Sequence, residues 1–132
     1  MTPVILPVPH VLQRQAADCL AACAAMLLIY LGLAPNYEHV LKLLRIQPEV
    51  GTPAYNVRDL SGLGVKVTYQ QGTLVDLAEH LGNNRPCLTP VQTGELPHWD
   101  VQTKHAVVVR GLDDDYVYGG RSSGPWQSRE LS

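Results

Sequence analysis

Two residues stand out for chemistry: a cysteine just ahead of a long apolar run, and a histidine at the head of a later one. The segment Gln13-Arg-Gln-Ala-Ala-Asp-Cys19 leads into Leu20-Ala-Ala-Cys-Ala-Ala-Met26 and on to Tyr30, a stretch of strong helix formers. A cysteine at a helix N-terminus faces unpaired backbone N–H groups and the positive end of the helix dipole. Both stabilise a thiolate and make the sulfur a usable nucleophile near neutral pH, above all beside an imidazole. The other reading is that Cys19 is a small core residue like the alanines after it. Cys23 lies on the same helix face as Cys19, but a C-x-x-x-C pair without clustered histidines is poor zinc ligation, and an i, i+4 disulfide strains a helix. Cys23 and Cys87 are therefore expected to be packing residues, and no metal or cofactor site is expected.

Of the five histidines, His105 opens the run His-Ala-Val-Val-Val-Arg-Gly. That places it at the end of a strand, where a sheet can aim a catalytic base. His98 and Trp99, in Leu96-Pro-His-Trp-Asp-Val, precede it in a loop that could border the same cleft. His39 and His80 fall on helices beside acidic residues and read as surface groups.

The elements that must hold these residues follow from composition and period. Three prolines among aliphatics between Thr2 and His10 predict an extended arm docked on the surface. The first helix is expected from Ala16 or Ala17 to about Tyr30, with Asp18 as cap or first-turn residue, Gly32 as the stop, and burial on several sides. A second helix is expected over 36–44, with Pro48 limiting it, and a short helical piece over 55–63. Val65 to Gln70 alternates as a strand does. Thr73 to Leu81 predicts an amphipathic helix with Leu74, Leu77 and Leu81 inward. Strands are expected over 86–92, 106–110 and 116–118, the last two joined by Gly111-Leu-Asp-Asp-Asp. Helices followed by an antiparallel sheet give an α+β class.

At 132 residues, 45% apolar and 17% charged, the chain fits one globular domain, 1–132, without disordered or fibrous character. A net charge of −2 with scattered Lys and Arg excludes the basic stripe that nucleic acid selects. Three cysteines cannot all pair, which favours a reducing compartment and a cytoplasmic location. The longest apolar run, Leu20 to Leu31, is too short to span a bilayer. Asp18 and the preceding prolines argue against a signal peptide.

These motifs together resemble the papain-like bacteriocin-processing (double-glycine leader) peptidases and their stand-alone relatives. Gln13-x5-Cys19-Leu-Ala-Ala-Cys-Ala-Ala-Met is similar to the family's start. Leu96-Pro-His-Trp, then His105 through Tyr118, is similar to its histidine strand and following hairpin. Gly51-Thr-Pro and Leu60 to Val65 fit its order of elements. The resemblance covers residues 10 to 118. It implies a papain-like α+β fold, with the central N-terminal helix packed on the sheet, and Cys19 as nucleophile facing His105 as base and acid. Gln13 and the backbone N–H of Cys19 would be the oxyanion donors. The implied reaction is peptide hydrolysis after a small residue such as glycine, with a peptide or protein as partner.

The chain departs from the family's pattern at two points. Leu20 stands where relatives carry glycine after the cysteine, which would narrow a cleft bordered by Leu20 and Trp99. Arg121 stands 16 residues beyond His105, where the family has an acidic or amide residue, commonly before proline, to orient the imidazole. From Gly119 on, the sequence is unlike the family's tail, as if diverged, truncated or shifted in reading frame. Two alternatives stay open: a peptide-binding module that has lost turnover, and acyl transfer or deamidation on the same Cys-His pair. The oligomeric state has no sequence signal.

Overall fold

A computed structural model of the chain describes residues 4–15, 18–47, 53–92, 104–113 and 117–121. In chain order the elements are β1 (Val4–Ile5), α1 (Cys19–Tyr30), α2 (Tyr37–Leu43), a 3-10 helical segment (Ala54–Leu63), α3 (Leu74–Gly82), β2 (Cys87–Gln92), β3 (Lys104–Leu112) and β4 (Val117–Arg121). The class is α+β, as the order of helical and alternating segments implies.

β3 is the spine of the sheet. Its residues 104–109 pair antiparallel with β2, 111–112 with β1, and 107–112 with β4. A strand has two edges, so β1 and β2 share one edge end to end and β4 takes the other. The β3–β4 ladder shifts register between Val109 and Gly111, an irregularity that bends the strand as it passes from β2 to β1. Ala106, Val107, Val108 and Val109 are all buried, so this strand is covered on both faces, which explains an unbroken β-branched run where a half-exposed strand would alternate.

α1 lies against β3, with α2 beside it. It is apolar nearly all round, and eight of its twelve residues, Leu20 to Met26 and Leu28, are buried. Its end is set by Gly32, whose φ of 88° is a left-handed conformation that disfavours any side chain. Gly32 N–H then donates to Ile29 O and Leu33 N–H to Leu28 O, the paired closure of a Schellman motif. Asn36 caps α2 by accepting from His39 N–H, and Thr73 and Asp76 form a reciprocal capping box on α3, each satisfying N–H groups the helix leaves open.

Four expectations need correction. The first helix begins at Cys19, later than Ala16 or Ala17, which lie outside the described residues. The N-terminal arm is extended with Ile5 exposed on the surface, but it is not merely docked there. Val4 and Ile5 join the sheet, and Leu6 and Val8 are 5% and 6% exposed, because alternate side chains of an extended arm can insert into the core. Val65 to Gln70 keeps its alternation, with Val65 and Val67 packed against the core, yet it is not a strand. Alternation reports only which side chains reach the core; a strand also needs a paired neighbour, and this segment pairs with none of the described strands. In α3, Leu77 and Leu81 face inward while Leu74, on the first turn, is 63% exposed.

β1 depends on one glycine. A Cβ at Gly111 would sit 2.6 Å from Val4 O and 3.0 Å from Ile5 Cγ1, closer than atoms can approach, and the nearest obstacle is backbone. Gly111→Ala is therefore expected to push β1 off the sheet and to destabilise the fold by about 1–3 kcal/mol, the usual range for overpacking. Urea denaturation measures this, and a change of only a few tenths would show that β1 yields freely.

Candidate active site

Cys19 is the first residue of α1 and is half-buried. The residue before it, Asp18, occupies the N-cap position but makes no side-chain cap bond. Its carboxylate turns back along the chain, and Oδ2 accepts from Gln15 N–H at 3.2 Å. Asp18 N–H in turn donates to Gln15 O at 3.1 Å, closing a reciprocal turn. Gln13 Nε2 donates to the same Gln15 O at 2.8 Å, so the amide of Gln13 is tied into the turn that leads to Cys19.

This turn is gripped by α2. Tyr37 Oη donates to Asp18 Oδ2 at 3.1 Å, the Arg14 guanidinium stacks 4.3 Å from the Tyr37 ring centre, and Arg14 pairs with Glu38 at 3.0 Å. The last pair is exposed and contributes little. The Asp18–Tyr37 bond differs, because Asp18 is 2% exposed and a buried carboxylate must have its oxygens satisfied. Burial, opposed by a backbone bond from Arg14 and reinforced by the Asp18 charge, pushes the Tyr37 phenol up to about 12. It therefore stays a proton donor throughout the neutral range.

His105 is the second residue of β3 and pairs with Val91 of β2. His105's strand packs on the cysteine helix, and one buried hydrogen bond joins them: Cys23 Sγ donates to Ala106 O at 3.4 Å. Cys23 is one helical turn beyond Cys19, about 6 Å along the axis, and Ala106 directly follows His105. The second turn of α1 therefore touches β3 one residue beyond His105.

The other expected site residues have different placements. Leu20 is 4% exposed and belongs to the core. His98 and Trp99 lie outside the described residues. Arg121 ends β4 in register with Val107. His39 and His80 lie on α2 and α3, and His80 Nδ1 accepts from Arg85 Nε at 3.1 Å. A depression of mixed polarity, lined by Leu28, Leu33, Asn36, His39, Val40 and Leu63 among others, is at the far end of α1 from Cys19. Among the described residues no group of His, Cys, Asp and Glu could hold a metal ion, and no helix is long and apolar enough to cross a membrane. Sequence reasoning missed Tyr37, because nothing in one sequence brings residue 37 to residue 18.

No cysteine is in a disulfide, and the surroundings of the three thiols differ. Cys23 is fully buried and bonded. Burial pushes the Cys87 thiol up against the opposing charge of Arg85, leaving it less thiolate at neutral pH, and the thiolate is the reactive form. With limiting iodoacetamide at pH 7–8, Cys19 is expected to be alkylated first, Cys87 later and Cys23 only on unfolding. Peptide mapping by mass spectrometry checks the order, and labelling of Cys87 ahead of Cys19 would contradict it.

The comparisons with known proteins bear on this arrangement. The family model described as the Peptidase_C39 like family matches residues 5–130. The chain belongs to this family. Its fold is that of C39-like peptidases. A crystal structure described as a C39-like peptidase from Bacillus anthracis superposes with a TM-score of 0.77 at 16% identity, covering 99% of this chain and 88% of that one. A double glycine motif protease from an AMS/PCAT transporter, in complex with its leader peptide, superposes with a TM-score of 0.62 at 20% identity, covering 98% and 86%. No curated protein matches the chain in sequence. Membership of the Peptidase_C39 like family makes this a cysteine-peptidase-like domain, with a mixed helix and antiparallel-sheet architecture.

Proposed function

We propose that the chain, as one papain-like domain, is a cysteine peptidase with Cys19 as nucleophile, His105 as general base and acid, and Gln13 as side-chain oxyanion donor. The observation that carries this reading is the Cys23–Ala106 hydrogen bond, which ties the helix of Cys19 to the strand of His105. The Cys19 thiolate attacks a peptide carbonyl, and the oxyanion that develops is met by the Gln13 amide and the Cys19 backbone N–H. The C–N bond breaks as the His105 imidazolium gives its proton to the leaving amine. A water, deprotonated by the same imidazole, then attacks the thioester and frees the acid and the thiol. Each role uses a group the chain itself carries.

The likeness to a protease solved with its leader peptide supports a peptide substrate with a small residue, such as glycine, before the scissile bond. His98 and Trp99 are the proposed contacts. Three cysteines outside any disulfide favour a reducing compartment such as the cytoplasm.

A digest of a peptide library by the wild type, with Cys19→Ala and His105→Ala as controls, tests this reading. New termini following small residues are expected for the wild type alone, and identical patterns from all three proteins would overturn it. One observation favours a second reading, a peptide-binding domain with weak turnover: β4 ends on Arg121, where the resemblance calls for an acidic or amide orienter of the imidazole. Loss of an orienter lowers the rate by about 10⁴-fold in a triad enzyme. Peptides retained by the wild type and by Cys19→Ala with equal Kd, and cut by neither, would decide for that reading.

A further inference from the structure

We infer that Tyr37 and Asp18 are positioning residues for the oxyanion donor, locking from α2 the turn that carries Gln13 to Cys19. This rests on the role proposed above for Gln13. The chain of contacts is continuous: Tyr37 Oη donates to Asp18 Oδ2 at 3.1 Å, Gln15 N–H donates to the same oxygen at 3.2 Å, and Gln15 O accepts from Gln13 Nε2 at 2.8 Å. The contacts come from the second helix, the N-cap residue and the loop; two of them converge on one buried carboxylate, and the third joins Gln13 to the residue that carboxylate holds.

The orientation of that carboxylate is informative. An aspartate at an N-cap ordinarily accepts from the N–H groups of the second or third helical residue. Asp18 makes no such bond and turns away from the helix instead, so the cap's usual stabilisation of α1 is given up for order in the preceding turn. That choice fixes the backbone of Gln15, and through its carbonyl the amide of Gln13. It also keeps the negative side chain off the N–H groups at the head of α1, where a second negative charge would compete with an oxyanion. Tyr37 supplies the bond that anchors the carboxylate from outside the loop, and its phenol keeps its proton to far above neutral pH.

The test is a double-mutant cycle on cleavage of a peptide the wild type cuts, with kcat and KM measured for wild type, Tyr37→Phe, Gln13→Ala and the double variant. Tyr37→Phe is expected to lower kcat by about tenfold, the size of one hydrogen bond felt in the transition state, and to leave KM unchanged. In the Gln13→Ala background the same substitution is expected to change kcat by less than about twofold, since its target is gone. A merely structural role would give equal factors in both backgrounds together with a fall in melting temperature, and that result overturns the inference, as does an unchanged kcat in Tyr37→Phe. Asp18→Asn should follow Tyr37→Phe; if it fails to fold, the tyrosine cycle decides alone. An inactive wild type, or a Gln13→Ala variant as active as wild type, overturns the oxyanion role of Gln13 and this inference with it. An impaired Gln13→Ala beside an unaffected Tyr37→Phe overturns this inference only.

Discussion

Cys19→Ala is expected to abolish peptide cleavage while the domain keeps its fold. Removing the nucleophile of a catalytic unit lowers kcat by about 10⁶-fold, leaving only what oxyanion donors and binding supply. If the imidazole has no orienter, the wild type starts up to about 10⁴-fold lower, so the measured drop has a floor near 10²-fold. Either value is far outside what a packing change could cause. Stability should move little, because Cys19 is half-buried and alanine suits the helix better than cysteine. Peptide turnover and thermal melting, measured on the same preparation, separate the two effects. A variant that still cleaves would remove Cys19 from the chemistry.

Gln13→Ala should lower kcat by about 10²- to 10³-fold with KM nearly unchanged, the signature of a donor that acts on the transition state and not on the bound substrate. The amide nitrogen carries two protons, so its bond to Gln15 O is compatible with donation to an oxyanion, and that bond supplies the fixed geometry a preorganised donor needs. Steady-state kinetics on a defined peptide distinguishes the cases. A rise in KM at constant kcat would make Gln13 a binding residue instead.

Much of this was legible in the sequence because the residues concerned dominate their own local structure. A run of alanine, leucine and methionine ending at Gly32 has no good alternative to a buried helix, and Asn36, Thr73 and Gly82-Asn-Asn mark helix ends through their own side-chain and backbone preferences. The uninterrupted valines of β3 likewise read as a strand, which the structure buries on both faces. What failed depended on partners distant in sequence. Val65 to Gln70 has the right alternation, but alternation reports which side chains face the core and not whether another strand pairs with the backbone. The arm at 4–8 looked like surface because prolines mark irregular backbone, not where the intervening leucine and valine go. At the site, the helix-start cysteine and strand-start histidine were visible as types in the right places. The grip of Tyr37 on Asp18 was not, since it requires knowing that α2 folds back across the loop before α1. Leu20, beside Cys19 in sequence, is turned by helix geometry toward the core.

The most direct test of the central claim, that Cys19 and His105 act as a pair, is the alkylation rate of Cys19 at neutral pH in the wild type and in His105→Ala. Coupling of thiol and imidazole predicts a wild-type rate well above that of free cysteine, falling to the free-cysteine level when His105 is removed. Equal rates in the two proteins would contradict the pairing and leave the chain with the fold of a cysteine peptidase but not its chemistry.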